Sequence, residues 1–474
     1  MKSAAPLRIS AERLHPRDAV FVYDETDRHL SNIVAVYAFD SSGAKPLTTD
    51  QVVDWVRARL GHSKLFHRRL QRVPLDLDLP YWVPDPILDL RDHVRLTTPG
   101  TWSDVRRAIA ETASTRMDLA RPPWEIHVMD RVREVPNFPG EATFVVLKFH
   151  HSVGDGVATR ELELELFGDG PLPPAPQLDP RWPTPTTALH TADALTLGTL
   201  RFATGLRRTR SAAAEVETRI EEGRLDQPLP HRPATRFNRP IQHPLTFDLV
   251  TIPLAEVLKA KANSPTRITL NDLMLATIAG ALTTYLAERD ELPAGSLAAM
   301  VPMSMRPITT WTSANQLVQM YVDLHTDITD PIERLQAIRE SATSEKQRNS
   351  DPSVLCTESR VETSPSWLLR LAGWARAQRN FEAADTVPLV NTTISNVPPV
   401  ATALEFCDRP IARIFGVLPT MDGDGLRHLI TSQGEEIVIS FSSGEAMMPD
   451  PDHYGSLILD AFRDLTGSLV PIRR

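Results

Sequence analysis

The chain has 474 residues, with 51 lysines and arginines against 60 aspartates and glutamates, and its formal net charge is −9. This length predicts two or three domains, and the acidic balance argues against a nucleic acid as the partner. Two cysteines exclude a disulfide framework and suit a reducing cytosol. The N-terminus lacks the apolar core of a signal peptide, and the longest apolar stretch, residues 273–287, is too short to span a bilayer. We therefore expect a cytoplasmic protein.

The first half of the chain contains a strand followed by a helix. ATFVVLKFHH, residues 142–151, is almost continuously apolar, which predicts a buried strand. The segment after it, DGVATRELELELF (residues 155–167), predicts a helix. Strand-like and helix-like patterns thus alternate in this half.

Proline-rich segments separate the two halves. Residues 168–187, GDGPLPPAPQLDPRWPTPTT, disfavour helix, and a helical segment from about Ala188 to Arg224 follows. A second proline-rich piece ends at Pro244. We divide the chain into an N-terminal subdomain (1–167), a crossover linker with a helix (168–245) and a C-terminal subdomain (246–474).

The second half also mixes helices and strands. ITLNDLMLATIAGALTTYLAE predicts a long helix, with Thr269 and Asp272 as a capping pair at its start. LAAMVPMSMR, LVNTTISNV and EEIVISFSS predict strands. Mixed elements in both halves predict a two-domain α/β architecture.

Two adjacent histidines, His150 and His151, end the apolar run of the first half, and Asp155 follows. A metal site would need His151 and Asp155 on one helical face, but glycines flank the aspartate and no third ligand is evident, so we expect no metal. A dinucleotide-binding loop is disfavoured because Thr159 stands at the third glycine position. A loop histidine could instead act as a general base, since a neutral imidazole accepts protons near neutral pH. The structural alternative is a packed histidine pair followed by a turn aspartate.

The motif HHSVGDG matches the HHxxxDG signature of the coenzyme A-dependent acyltransferase superfamily, which includes chloramphenicol acetyltransferases, peptide-synthetase condensation domains and plant alcohol acyltransferases. Further segments resemble, in the same order, the bacterial wax ester synthase/diacylglycerol acyltransferase family. These are LHPRDAVFVYDE, MDLARPPWEIHVMD, ITLNDLMLATIAGALTTYL, LAAMVPMSMR, SANQ, NTTISNVPP and PDPDHYGSLILDAF. The resemblance covers nearly the whole chain.

The chain departs from the family pattern at three places. Pro123 replaces the leucine of the PLW segment, and Ala314 replaces the glycine of GNQ. The family's SNVPGP segment is SNVPPV here, with Pro399 and Val400 in place of its final glycine and proline. The change at Pro123 could alter acyl preference, but none of these changes removes a group that the chemistry requires.

The resemblance implies two chloramphenicol-acetyltransferase-like subdomains, each a mixed sheet with flanking helices, and an active-site channel at their interface. It implies transfer of a long-chain acyl group from acyl-CoA, as co-substrate without a bound cofactor, to diacylglycerol or a fatty alcohol, giving triacylglycerol or wax ester. His151 would be the general base, with His150, Asp155 and Gly156 completing the catalytic signature. Two alternatives remain: a carrier-protein-dependent or amide-forming acyltransferase, and a non-catalytic lipid-binding homologue.

Other residues have both a structural and a functional interpretation. Asn271 could cap its helix or line the site. Ser395 and Asn396 could form a turn or donate to an oxyanion. Trp124 could pack in the core or contact substrate. Arg306, at a strand end, is the candidate partner of Asp155.

A basic amphipathic pattern follows in SWLLRLAGWARAQR, residues 366–379. Its tryptophans, leucines and arginines are compatible with a helix lying on a membrane or lipid droplet, or with a helix packed on the core. LRFATGLRRTR, residues 200–210, is a second candidate for such a surface.

Overall fold

The computed structural model describes residues 5–138, 140–179, 188–241, 244–382, 387–398 and 403–469. Pro399, Val400 and residues 180–187 and 242–243 of the two proline-rich segments lie outside the described residues. The strands are β1 (Arg8–Ile9), β2 (Glu12–Arg13), β3 (Asn32–Asp40), β4 (Arg68–Gln71), β5 (Tyr81–Pro84), β6 (Val94–Thr97), β7 (Trp124–Val132), β8 (Ala142–His150), β9 (Gln177–Leu178), β10 (Leu245–Pro253), β11 (Ala298–Ser304), β12 (Leu317–Asp323), β13 (Thr392–Asn396), β14 (Glu405–Phe406), β15 (Arg409–Val417), β16 (Leu426–Gln433) and β17 (Glu436–Gly444).

The helices surround these strands. They are α1 (Pro16–Asp24), α2 (Thr49–Arg57), α3 (Leu90–His93), α4 (Trp102–Ala113), α5 (Gly156–Phe167), α6 (Ala188–Glu221), α7 (Leu254–Asn263), α8 (Leu270–Ala287), α9 (Pro331–Asn349), α10 (Pro352–Glu358), α11 (Ser366–Ala377) and α12 (Pro451–Ser468).

The N-terminal sheet has six strands in the order β14-β15-β3-β8-β7-β6. β8 pairs antiparallel with β3 on one side and β7 on the other, and all of its side chains are buried. This confirms the strand predicted from the apolar run, because a central strand covered on both faces has no polar side. The pairing of Asn32 with His150 brings the end of β8 beside the start of β3.

The C-terminal sheet has the order β10-β17-β16-β13-β11-β12 and packs against α8. The structure confirms α8 and its capping box, in which Thr269 and Asp272 each bond the other's backbone N–H. By length and composition α8 could cross a membrane, but 67% of it is buried inside the protein. Its apolar character therefore reflects its place in the core.

The two sheets confirm the predicted mixed α/β architecture. The N-terminal sheet, however, also contains strands from beyond residue 246, where the C-terminal subdomain was expected to begin. β14 and β15 come late in the chain, yet β15 pairs with β3 of the N-terminal sheet. An apolar cluster joins the sheets, with Phe144 and Phe415 from one and Phe247 and Val438 from the other. This shared core fixes the interface where the histidine motif lies.

Candidate active site

The chain turns sharply between β8 and α5, and Asp155 stabilises this turn. A 3₁₀ turn, His151–Val153, follows β8, and Asp155 is the N-cap of α5. Its Oδ1 accepts hydrogen bonds from the backbone N–H groups of Val157 (3.1 Å) and Ala158 (3.2 Å). Such a cap satisfies donors that the first helical turn leaves free.

The other oxygen of Asp155 binds the C-terminal half. Arg306 Nη1 donates to Asp155 Oδ2 at 2.8 Å, and the backbone N–H of Gln316 donates at 2.9 Å. Burial by itself raises the pKa of Asp155, but the hydrogen bonds from Arg306 and Gln316 outweigh it and hold the pKa below its usual range. The geometry gives Asp155 a structural role across the two halves.

His150 is fully buried, and its neighbours define its tautomer. The backbone N–H of Ser152 donates to Nδ1 at 3.2 Å, so this nitrogen is an acceptor. In the neutral ring the proton then lies on Nε2, which is 3.5 Å from Oε1 of Glu25. Arg116 Nε donates to the other oxygen of Glu25 at 2.9 Å. His150 is thereby held inside the protein rather than presented to a substrate.

His151 has the opposite tautomer because of Asn315. The Nδ2 group of Asn315 donates to the His151 carbonyl (2.8 Å) and to Oδ1 of Asp18 (2.9 Å), so its orientation is fixed by two acceptors. Its Oδ1 therefore faces His151 Nδ1, at 2.8 Å, and accepts a hydrogen bond from the Nδ1–H group. The neutral ring consequently carries its free electron pair on Nε2, as a general base requires.

Asp18 anchors this arrangement from α1. Besides the Asn315 side chain, it accepts the backbone N–H groups of Ala314 and Asn315, each at 2.9 Å. Phe21, one turn further along α1, stacks on the His151 ring with centroids 4.2 Å apart and planes 9° apart. Ring stacking and the Asn315 hydrogen bond together fix the imidazole in one orientation.

The environment of His151 keeps it uncharged. Burial lowers its pKa to about 4, although the hydrogen bonds of the ring to its own carbonyl and to Asn315 oppose the shift. The ring is therefore neutral throughout the physiological pH range and is free to accept a proton.

His151 lines a cavity of about 1290 Å³ between the two sheets. One face of α5 contributes to its wall, with Gly156, Thr159, Arg160 and Glu163 at helical spacing. Residues of α1 and β3 line it from one half, and residues of β11, β12, β13 and β16 from the other. The channel predicted at the interface is thus present.

The predicted substrate-binding and oxyanion residues divide into two groups. Ser395 lines the cavity near the end of β13, whereas Asn396, Asn271 and Trp124 are not among its lining residues. Gly156 allows this strand end to approach, since an added Cβ would lie 3.3 Å from Val397 Cγ2. Of the predicted oxyanion donors, the geometry therefore favours Ser395.

Two predicted residues are placed in structural positions. Trp124 is fully buried, donates to the Phe66 carbonyl at 3.2 Å and stacks on His93. Asn271 lies in the first turn of α8, where Thr269 rather than Asn271 is the N-cap. The structure supports a packing role for Trp124 and assigns no cap to Asn271.

Sequence reasoning missed the neighbours of the two histidines. Asp18, Phe21 and Glu25 lie within LHPRDAVFVYDE, and Asn315 lies within SANQ, so the signal for these residues is the family resemblance of the two segments. Among the described residues, no group of three or more histidine, cysteine or carboxylate side chains could hold a metal ion.

Two family models match the chain. Residues 14–274 match the wax ester synthase/diacylglycerol acyltransferase catalytic domain, and residues 313–466 match the WS/DGAT C-terminal domain. Rv0221 of Mycobacterium tuberculosis (strain ATCC 25618 / H37Rv), named as a diacylglycerol O-acyltransferase, is 29% identical over 469 residues, 93% of this chain and 92% of that protein. Rv1760 of the same strain, similarly named, is 26% identical over 453 residues, 93% of this chain and 87% of that protein.

Solved structures share the fold. The wax ester synthase/diacylglycerol acyltransferase from Marinobacter aquaeolei VT8 superposes with a TM-score of 0.64 at 22% identity, covering 97% of this chain and 100% of that one. The TRI3 trichothecene 15-O-acetyltransferase from Fusarium sporotrichioides gives 0.59 at 12% identity, covering 98% and 100%. At these identities the likeness establishes a common two-subdomain architecture.

Proposed function

The chain belongs to the wax ester synthase/diacylglycerol acyltransferase family, and we propose that it transfers a long-chain acyl group from acyl-CoA to the hydroxyl of diacylglycerol or a fatty alcohol, with His151 as general base. The observation that carries the proposal is the tautomer of His151. The Nδ1–H group of His151 donates to Asn315 Oδ1, so the basic nitrogen is Nε2. The ring lines the cavity between the sheets.

The reaction needs one base and no covalent intermediate. Nε2 of His151 takes the hydroxyl proton while the acceptor oxygen attacks the thioester carbonyl carbon. The new C–O bond gives a tetrahedral oxyanion, which collapses by breaking the C–S bond. The imidazolium then returns its proton to the departing CoA thiolate, so the base is regenerated and free CoA leaves with the ester.

The transient imidazolium needs stabilisation, because burial disfavours the charged ring. Its Nδ1–H already points at the Asn315 carbonyl oxygen, whose amide nitrogen donates to Asp18. The carboxyl of Asp18 accepts hydrogen bonds at both oxygens, which favours the ionised form and opposes the rise in its pKa that burial causes. Charge on the ring is thus balanced through a fixed amide without reorganisation.

The oxyanion needs a donor on the cavity wall, and Ser395 is our candidate. Its hydroxyl belongs to the half opposite His151, and both residues line the same cavity. An acyl group held between the two halves would then have its base on one side and its oxyanion donor on the other. Removal of one such donor typically lowers kcat by about 10²–10³.

The test is an assay of purified protein with labelled palmitoyl-CoA against hexadecanol and diolein, with the ester products separated by thin-layer chromatography. We expect ester with at least one acceptor, and we expect His151→Ala to lose about 10²–10⁴-fold in kcat. The matched control is His127→Ala, since His127 pairs with Glu125 at 2.7 Å on β7 and does not line the cavity.

Three results would overturn the proposal. One is full turnover by a folded His151→Ala protein. Another is turnover only with an acyl-carrier-protein donor or an amine acceptor, which would place this site with the carrier-dependent or amide-forming acyltransferases. The third, absence of any turnover while palmitoyl-CoA still binds, would favour the lipid-binding alternative.

A further inference from the structure

An apolar surface lies beside the cavity, and we propose that it docks the protein on an anionic phospholipid bilayer from which the lipid acceptor enters the site. We call it the α11 face. It consists of six exposed large apolar residues on α11, the start of α6 and the loop before β5: Trp367, Leu371, Trp374, Leu197, Leu200 and Leu75. The proposal rests on the proposed function for the substrate, but the binding itself is independent of it.

The periodicity of α11 is that of a surface helix with its apolar side outward. Trp367, Leu371 and Trp374 recur at spacings of four and three, and they are 45%, 52% and 61% exposed. The buried residues Leu369 and Gly373 lie between them in sequence and face the protein. A helix that buries one side and exposes tryptophans on the other fits an interfacial location, where indole rings sit at the headgroup level.

The neighbouring elements extend this surface. Leu75 is 83% exposed. The backbone carbonyl of the next residue, Asp76, accepts a hydrogen bond at 2.6 Å from Ser366, the first residue of α11. On α6, Phe202 packs edge-on against Trp367. Several large exposed apolar side chains on adjoining elements indicate an interaction site.

The charge around the α11 face favours a negatively charged partner. α11 contains no acidic residue. Arg370 and Arg376 pair with Asp76 (3.4 Å) and Asp24, yet their side chains remain 62% and 51% exposed, and Arg379, just after the helix, is exposed as well. Arg201 on α6 is also exposed. Anionic lipid headgroups attract such arginines locally even though the chain is acidic as a whole.

The α11 face is connected to the catalytic site through a tight contact. Gly373 packs on α1 so closely that an added Cβ would lie 2.2 Å from the Tyr23 carbonyl oxygen. α1 carries Asp18 and Phe21, which position His151. At the other end of the helix, residues 376, 377 and 379 line the cavity itself. A lipid leaving a bilayer at this helix would therefore reach the cavity directly.

Vesicle co-sedimentation of the full chain tests the proposal. We expect binding to phosphatidylcholine vesicles that contain phosphatidylglycerol, weaker binding to phosphatidylcholine alone, and weakening by salt. Trp367→Ala/Trp374→Ala should reduce binding by at least about tenfold, since each substitution removes a side chain that would be buried in the interface. The matched control, Leu258→Ala/Ile308→Ala, removes exposed apolar residues elsewhere and should bind normally.

Binding by the tryptophan variant equal to the control would overturn the proposal. The proposal would also be overturned if the protein did not bind vesicles but dimerised through the α11 face. Analytical ultracentrifugation would detect such a dimer, which the tryptophan variant would not form. Activity measurements distinguish a failure of membrane docking from a failure of the proposed acyl transfer. With octanoyl-CoA and dissolved butanol both variants should match the original chain, whereas with vesicle-embedded diolein only the tryptophan variant should slow.

Discussion

Substitution of Asn315 by alanine removes the acceptor at Nδ1 of His151 and tests how the base is positioned. The lost hydrogen bond is 2.8 Å long, and its donor lies on a half-buried ring. An unsatisfied donor costs about 1–3 kcal/mol, and each 1.36 kcal/mol is a factor of ten in rate. We therefore expect kcat to fall by about 5–150-fold, with KM changed by less than about threefold. Continuous detection of released CoA thiol measures both constants.

Asn315→Asp provides a readout that a purely structural amide would not move. A carboxylate beside Nδ1–H favours the imidazolium and should raise the pKa of His151 from about 4 by about 1–3 pH units. Its second oxygen would face Asp18 Oδ1 and the His151 carbonyl, the two acceptors of the original amide, so circular dichroism must first show that this variant folds. The acid limb of kcat/KM should shift upward by the same amount. Gln316→Ala is the control, because its side chain bonds the Ser313 carbonyl in the same loop. A folded Asn315→Ala protein with kcat within about twofold of the original would refute this positioning role.

Three further outcomes are expected. In the unmodified chain, kcat/KM should fall as the pH drops through about 4, where His151 in the free protein becomes protonated, and a limb near pH 6.5 would contradict this assignment. Arg306→Ala should cost about 3 kcal/mol of unfolding free energy at neutral pH, because it leaves the buried Asp155 carboxylate without its ion pair. Since the folded pKa of Asp155 is depressed, that difference should shrink as the pH falls through it, which urea unfolding at several pH values measures. Thr269→Ala should lower stability by about 1 kcal/mol through loss of the α8 cap without changing KM, and an unchanged urea midpoint would argue against that cap.

The hydrogen bonds that position the candidate site join residues from both halves of the chain. His151 lies immediately after β8, whereas Arg306 and Asn315 lie in the connection between β11 and β12. A variant that loosens the contact between the halves should therefore affect the orientation of the base as well as stability. This coupling follows from the shared core of the two sheets.

The sequence by itself predicted the main strand and helix that flank the site. The unbroken apolar run predicted β8 because a strand buried on both faces needs no polar positions, and the threonine–aspartate pair predicted the start of α8. The HHxxxDG spacing carried the family resemblance, and that resemblance implied a general base at His151, since a short motif is local information.

Only the tertiary structure decided which nitrogen of His151 is basic. Asn315 is 164 residues away in sequence, and Asp18 reaches the same place from the opposite end of the chain. It also decided that β15 joins the N-terminal sheet and that Trp124 packs away from the cavity. Local patterns carry side-chain periodicity and turn chemistry, but hydrogen bonds between distant segments exist only once packing has brought those segments together.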